Sequence, residues 1–196
     1  VMLIAAGNRA EDKAFTFDMP LPLRDRFSEC ELQPNVETWT EWAAGNVNPH
    51  LVSFVNWKES YLYRISETGQ DKSTTPRGIK RASDLIGKLG VTDSQVPLLT
   101  SIACGEAFAT EFQAYVKYFA DLDWDRIYDE PECVDELEVS QLFAVCGGLS
   151  EHFQKEPKQE KFDAITKIVD KMKPEFAVMT LRTVSYTHLT LPTTKN

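Results

Sequence analysis

The chain has 196 residues, 42% of them apolar and 26% charged, and a formal net charge of −9. That length suits one globular domain or slightly more, and the apolar share is too high for a disordered tail. The acidic balance argues against duplex nucleic acid as the main partner, because neutralising phosphates takes a clustered excess of Lys and Arg. The sequence holds no run of about 18 uninterrupted apolar residues that could span a bilayer, so no membrane partner is expected either.

Cys30, Cys104, Cys133 and Cys146 form no C-x-x-C pair, and His50, His152 and His188 stand far from any second ligand at metal spacing. Neither a zinc site nor a secreted disulfide framework is therefore expected, and a reducing, cytoplasmic setting is the default.

Taken in chain order, VMLIAAG (1–7) reads as a fully buried strand with no polar lead. Such a strand needs neighbours on both sides, which implies partner strands encoded upstream and a chain that is a fragment. Asn8 to Leu23 reads as a loop carrying Pro20 and Pro22, and Ser28 to Leu32 as a short strand that buries Phe27, Cys30 and Leu32 imperfectly. Residues 1–33 would then be the remnant of an α/β layer.

From Asn35 the period becomes helical. Asn35 caps a helix with Val36, Trp39, Trp42 and Ala43 on one face and Gly45 at its end, and Pro49 opens a second that buries Leu51, Phe54 and Val55. These are the connecting helices of a 34–70 segment, which runs into the polar loop SETGQDKST (66–74). Thr75 then caps a helix with Pro76 and Arg77 in its first turn and Ile79, Ala82, Leu85, Ile86 and Leu89 on its apolar face before Gly90.

Further helices are expected over Ser94 to Leu122, broken near Gly105, over Val134 to Phe153, and over Lys158 to Arg182 with an interruption at Pro174. Apolar stripes run through Phe108, Phe112, Tyr115 and Phe119, through Leu142, Val145, Cys146 and Leu149, and through Phe162, Ile165, Ile168, Val169 and Met172. The acidic stretch from Asp121 to Glu138 lacks a calcium-loop pattern and reads as a solvated loop. The expected fold class is mainly α, a helical bundle over 71–182 preceded by a small α/β remnant. The threonine-rich string 183–196, with no acidic residue, resembles a translated sequencing-adapter tail and is set aside as an artefact.

Three positions suggest chemistry. Asn8 sits at the carboxyl end of the opening run, where open α/β sheets place ligand-facing groups, although a side-chain turn is the role asparagine takes very often. Arg24 and Arg26 flank Asp25, which fits either a surface ion pair or an arginine finger stabilising phosphoryl charge. Arg77 stands at a helix N-terminus, against the macrodipole, which suggests an anion to bind, or else an exposed arginine with its stem packed. No G-x-x-x-x-G-K-[ST] is present and no apolar run ends in Asp-Glu, so this chain by itself carries neither phosphate cradle nor Mg²⁺ ligand.

In order, LIAAGN (3–8), MPLPLRDRF (19–27), the Trp39 helix, TPRGIKRASDLI (75–86) and GEAFATEFQAYV (105–116) resemble the C-terminal portion of MoxR-type AAA+ ATPases, over about residues 1 to 182. The resemblance implies that Asn8 is the sensor 1 asparagine, Arg26 the arginine finger and Arg77 the sensor 2 arginine, with Arg24 a poorer match. It implies a hexameric ring, ATP and Mg²⁺ as cofactors of the full-length family, and chaperone-like remodelling, often with a partner bearing a von Willebrand factor A domain. Residues 71–182 would be the helical lid and a family-specific extension. The competing expectation is a non-enzymatic acidic helical adaptor that binds another protein through the Trp39, Trp42 and Phe108 region.

Overall fold

Side-chain caps mark where the helices begin. The computed structural model describes residues 3–7, 19–66, 71–87 and 89–189. The chain divides into two units, Val1–Gln33 and Pro34–Asn196. In the second unit the Asn35 side chain accepts the Thr38 N–H at 2.8 Å and opens α2 (Val36–Ala43). Asn48 accepts from the His50 N–H at 2.9 Å and, with Pro49 in the first position, opens α3 (Pro49–Trp57). Each cap satisfies a backbone donor that the helix itself leaves without a partner.

The remaining helices of this unit are α4 (Pro76–Ile86), α5 (Val96–Cys104), α6 (Glu106–Ala120), α7 (Trp124–Asp129), α8 (Val139–Lys155), α9 (Gln159–Val169) and α10 (Pro174–Leu189). Gly105 separates α5 from α6 at φ +95°, a backbone region that glycine enters without the Cβ penalty, so the expected break falls where the sequence put it. Among the described residues there is no strand, only an isolated antiparallel bridge between Arg64 and Thr74, and the architecture is mainly helical. Helix α8 is central: it packs against α3, α6, α9 and α10, while α4 packs on α5. Phe54 on α3 meets Phe108 and Phe112 on α6 edge-on, with ring centroids 5.1 and 5.4 Å apart, the arrangement aromatic quadrupoles favour.

In the first unit the strands expected at both ends are not formed. Leu3 to Gly7 lies outside any sheet with Leu3 77% and Ile4 82% exposed, and Leu32, in the second expected strand, is 87% exposed. The reason is the backbone: a strand exists only where a neighbour takes its N–H and C=O groups, and the described residues supply none. A four-residue helix, α1 (Leu21–Arg24), forms instead within the expected loop, with proline tolerated in its first turn.

Five expectations for the second unit are corrected. Trp42 is 49% exposed and Leu85 42%, although both were assigned to apolar faces; each lies at the margin of its stripe. Helix α4 closes at Ile86, with Gly87 rather than Gly90 after it. The acidic stretch is not a solvated loop: it forms α7 and a 3₁₀ segment at Pro131–Glu136, because Ile127, Cys133 and Val134 supply a buried side that the count of carboxylates hides. That 3₁₀ segment also takes the first turns of the helix expected from Val134, which starts only at Val139. Finally, α10 runs past Arg182, and Thr183 and Val184 are buried in it, so the last core residues come from the segment set aside as a tail. Residues 190–196 of that segment lie outside the described residues.

Candidate functional site

Thr75, Pro76 and Arg77 are held in place from three directions. Thr75 is extended and its hydroxyl accepts the Gly78 N–H at 3.1 Å, which fixes the first turn of α4. The neighbouring Thr74 is buried, and its hydroxyl donates to the Cys104 carbonyl at 2.9 Å, at the end of α5. Lys72 Nζ donates to the Ile102 carbonyl at 2.8 Å, and the Asp71 carboxylate accepts the Glu106 and Ala107 N–H groups at 2.9 and 3.2 Å. Residues 71–74 therefore cap the end of α5 and the start of α6 at once, and these backbone donors hold the Asp71 carboxyl below its ordinary value. The capping of α6 from a residue 35 positions earlier left no trace in the sequence around Gly105.

From that frame Arg77 projects as an exposed side chain. Its guanidinium has no hydrogen bond or ion pair among the described residues, and α4 has no acidic residue in its first turn. Both readings of Arg77, an exposed arginine with its stem packed and a cation held ready for an anion, leave the guanidinium in solvent, as it is here.

The first unit separates Arg24 from Arg26. Arg24 donates to Glu29 from Nε at 3.2 Å and from the terminal nitrogen at 3.1 Å, a forked ion pair on the surface. Arg26 is exposed and its side chain has no partner among the described residues. Asn8 lies outside the described residues. The adaptor surface is corrected: Phe108 is fully buried and Trp39 is 7% exposed, which leaves Trp42 alone on it. Phe108 is taken up by Phe54 and Tyr61 and cannot present itself to a partner.

A second polar constellation escaped the sequence reading. His50 is completely buried on α3, with Nε2 3.3 Å from the Glu151 carboxylate on α8 and Nδ1 3.3 Å from the Tyr115 hydroxyl on α6. Lys155 holds the other Glu151 oxygen at 3.0 Å. The hydrogen bond from His50, opposed by burial and aided by Lys155, lowers the Glu151 carboxyl to about 2. Burial pushes the Tyr115 phenol well above its ordinary range and lowers the neighbouring His152 to about 4. Gly147 makes room for the cluster: a Cβ there would stand 2.5 Å from the Tyr115 oxygen and 3.0 Å from His50 Nδ1. The Gly147–Gly148 pair inside an apolar stripe was the signal available in the sequence. Sealed from solvent and fully partnered, His50 cross-links three helices and offers no open face for chemistry.

Among the described residues no group of three His, Cys, Asp or Glu side chains could hold a metal ion, and no helix is long and apolar enough to cross a membrane. No family model, curated protein or solved structure matches the chain.

Proposed function

We propose that this chain is the sensor and lid portion of a cytoplasmic MoxR-type AAA+ remodelling ATPase, with Arg26 as the arginine finger and Arg77 as the sensor 2 arginine. The observation that carries the reading is the sorting of arginines: Arg24, the poorer match, is satisfied by Glu29, while Arg26 and Arg77 are exposed without partners among the described residues. An arginine left bare in a chain with 30 acidic residues is available to an anion from outside.

The donor set of the described residues suits the phosphates of ATP, because guanidinium groups bind phosphate oxygens in forked pairs. It does not suit Mg²⁺, and no described residue is assigned to the ion. ATP, when bound, supplies the terminal phosphoryl group whose transfer to water drives remodelling. Arg77, on the first turn of α4, binds phosphate oxygens from the lid. Arg26 places its charge against the site of a neighbouring subunit in a hexameric ring, where it offsets the negative charge that develops during transfer. In the same reading Asn8 orients the attacking water or a phosphate oxygen, and a von Willebrand factor A domain protein is the partner.

The test uses the protein translated from the coding DNA upstream of Val1 as well. A phosphate-binding P-loop and an apolar run ending in Asp-Glu are expected within about 150 residues, one domain length. In that protein Arg26→Ala lowers ATP turnover by about 10² or more with nucleotide binding kept, and Arg24→Ala does much less. Equal losses from the two substitutions, or an upstream sequence without a P-loop, overturn the reading.

A further inference from the structure

The criterion that separates Arg26 and Arg77 from Arg24 selects one more residue. Arg24, Arg64, Arg126 and Arg182 each have a hydrogen-bonded or ion-paired partner: Glu29, the Tyr61 hydroxyl, Glu130 with Glu136, and Glu37 with Glu41. Arg81 has none among the described residues, and it is exposed. It stands on α4 four residues after Arg77, so the two side chains are neighbours on one face, with Cβ atoms about 5–6 Å apart.

Several features make this pair costly for the chain alone. Like charges at that spacing repel, and Arg77 also sits in the first turn, where the backbone dipole disfavours cations. The same helix shows the usual remedy one residue away, where Lys80 pairs with Asp84 in the next turn. Among the described residues no carboxylate is supplied to Arg77 or Arg81, although acids outnumber bases by 30 to 21 in the chain. The backbone at the start of α4 adds little anion-binding capacity, since Pro76 carries no N–H and the Gly78 N–H is taken by Thr75. Any anion held here is held by the two side chains.

We propose that Arg81 acts with Arg77 as a two-guanidinium clamp for a polyphosphate chain, the class of anion that a nucleoside triphosphate presents. A single carboxylate satisfies one guanidinium fork, whereas consecutive phosphate groups offer oxygens to both. The proposal rests on the reading of Arg77 as a phosphate-binding lid residue and adds a second cation to it.

The full chain is titrated at low ionic strength with inorganic tripolyphosphate and, separately, with ATP, following the arginine Nε–H signals by NMR. Both anions are expected to shift the Arg77 and Arg81 signals together and saturably. Arg81→Gln weakens binding about threefold or more, Arg81→Lys less, and Arg182→Gln not at all. If Arg77→Gln weakens binding and Arg81→Gln does not, the clamp is wrong and the Arg77 reading stands. If neither substitution matters, or no signal moves, both fall. Binding of ATP without tripolyphosphate means that the base rather than the phosphates is recognised, which also overturns the clamp. A salt-sensitive self-association that depends on Arg81, with no response to either anion, assigns the residue to an acidic face of a second copy instead.

Discussion

Arg77 on α4 and Glu151 on α8 are both charged residues on helices of the second unit, and the fold treats them in opposite ways. Glu151 is tied to His50 and Lys155 and has little solvent left around it. Arg77 is solvated and has no partner among the described residues. A charge satisfied within the chain reports on how helices are joined, because a partner removed from a buried pair leaves the other charge stranded. An exposed cation in an unfavourable dipole, with acids abundant elsewhere, is the feature for which the proposed phosphate role accounts.

Three further experiments sharpen that contrast, in order of expected effect. The largest is Gly147→Ala. The methyl group collides with the Tyr115 and His50 side chains and with Ser53 Oγ at 3.2 Å, all of which are buried. A loss of about 2 kcal/mol in urea unfolding is expected, despite the better helix propensity of alanine. An unchanged or raised midpoint shows that the three helices can part at no cost, and the cross-link is then not structural.

Next is the pH dependence of stability. His152 is held at about 4, below its ordinary 6.5, and Glu151 at about 2, below its ordinary 4.5. For both groups the unfolded chain binds more protons than the folded one inside those windows, so their stabilisation is complete above the unfolded values. It is lost as pH falls, through the His152 window from 6.5 to about 4 and then the Glu151 window from 4.5 to about 2. Thermal midpoints should decline through both windows, and Glu151→Gln should flatten the lower one most, with the upper one moved down because the Glu151 charge raises His152. A lower window that survives in this variant removes the carboxylate from the account.

The smallest effect is Arg77→Gln, which should leave unfolding within about 0.5 kcal/mol of the parent, with any change towards stability. A loss of more than about 1 kcal/mol would mean that the arginine is structural, and the contrast with Glu151 would collapse.

Local signals were legible wherever one residue type does one local job. Asn35, Asn48 and Thr75 cap the helices that follow them, and the stripes through Phe108, Phe112 and Tyr115 and through Ile165, Ile168 and Val169 are buried as spaced. Legibility failed where the outcome depended on a remote neighbour. VMLIAAG has the composition of a strand, but hydrogen bonds to a neighbour make a strand, and composition does not supply one. The Asp121–Glu138 stretch hides its buried Ile127 and Val134 among carboxylates that solvent accepts on the other side. Of the candidate residues, the resemblance already ranked Arg26 above Arg24, and what the sequence did not show is that Arg24 pairs with Glu29 while Arg26 has no partner among the described residues.

What the sequence determined alone is the starts of α2, α3 and α4, the break at Gly105 and the centres of the apolar stripes, since these follow from caps, φ preference and a period of about 3.6 residues within one segment. Only the tertiary structure decided which charges would be satisfied. Asp71 reaching α6, His50 reaching α8, and Arg77 and Arg81 reaching nothing among the described residues all depend on which segments meet in space, and a linear pattern carries no record of that.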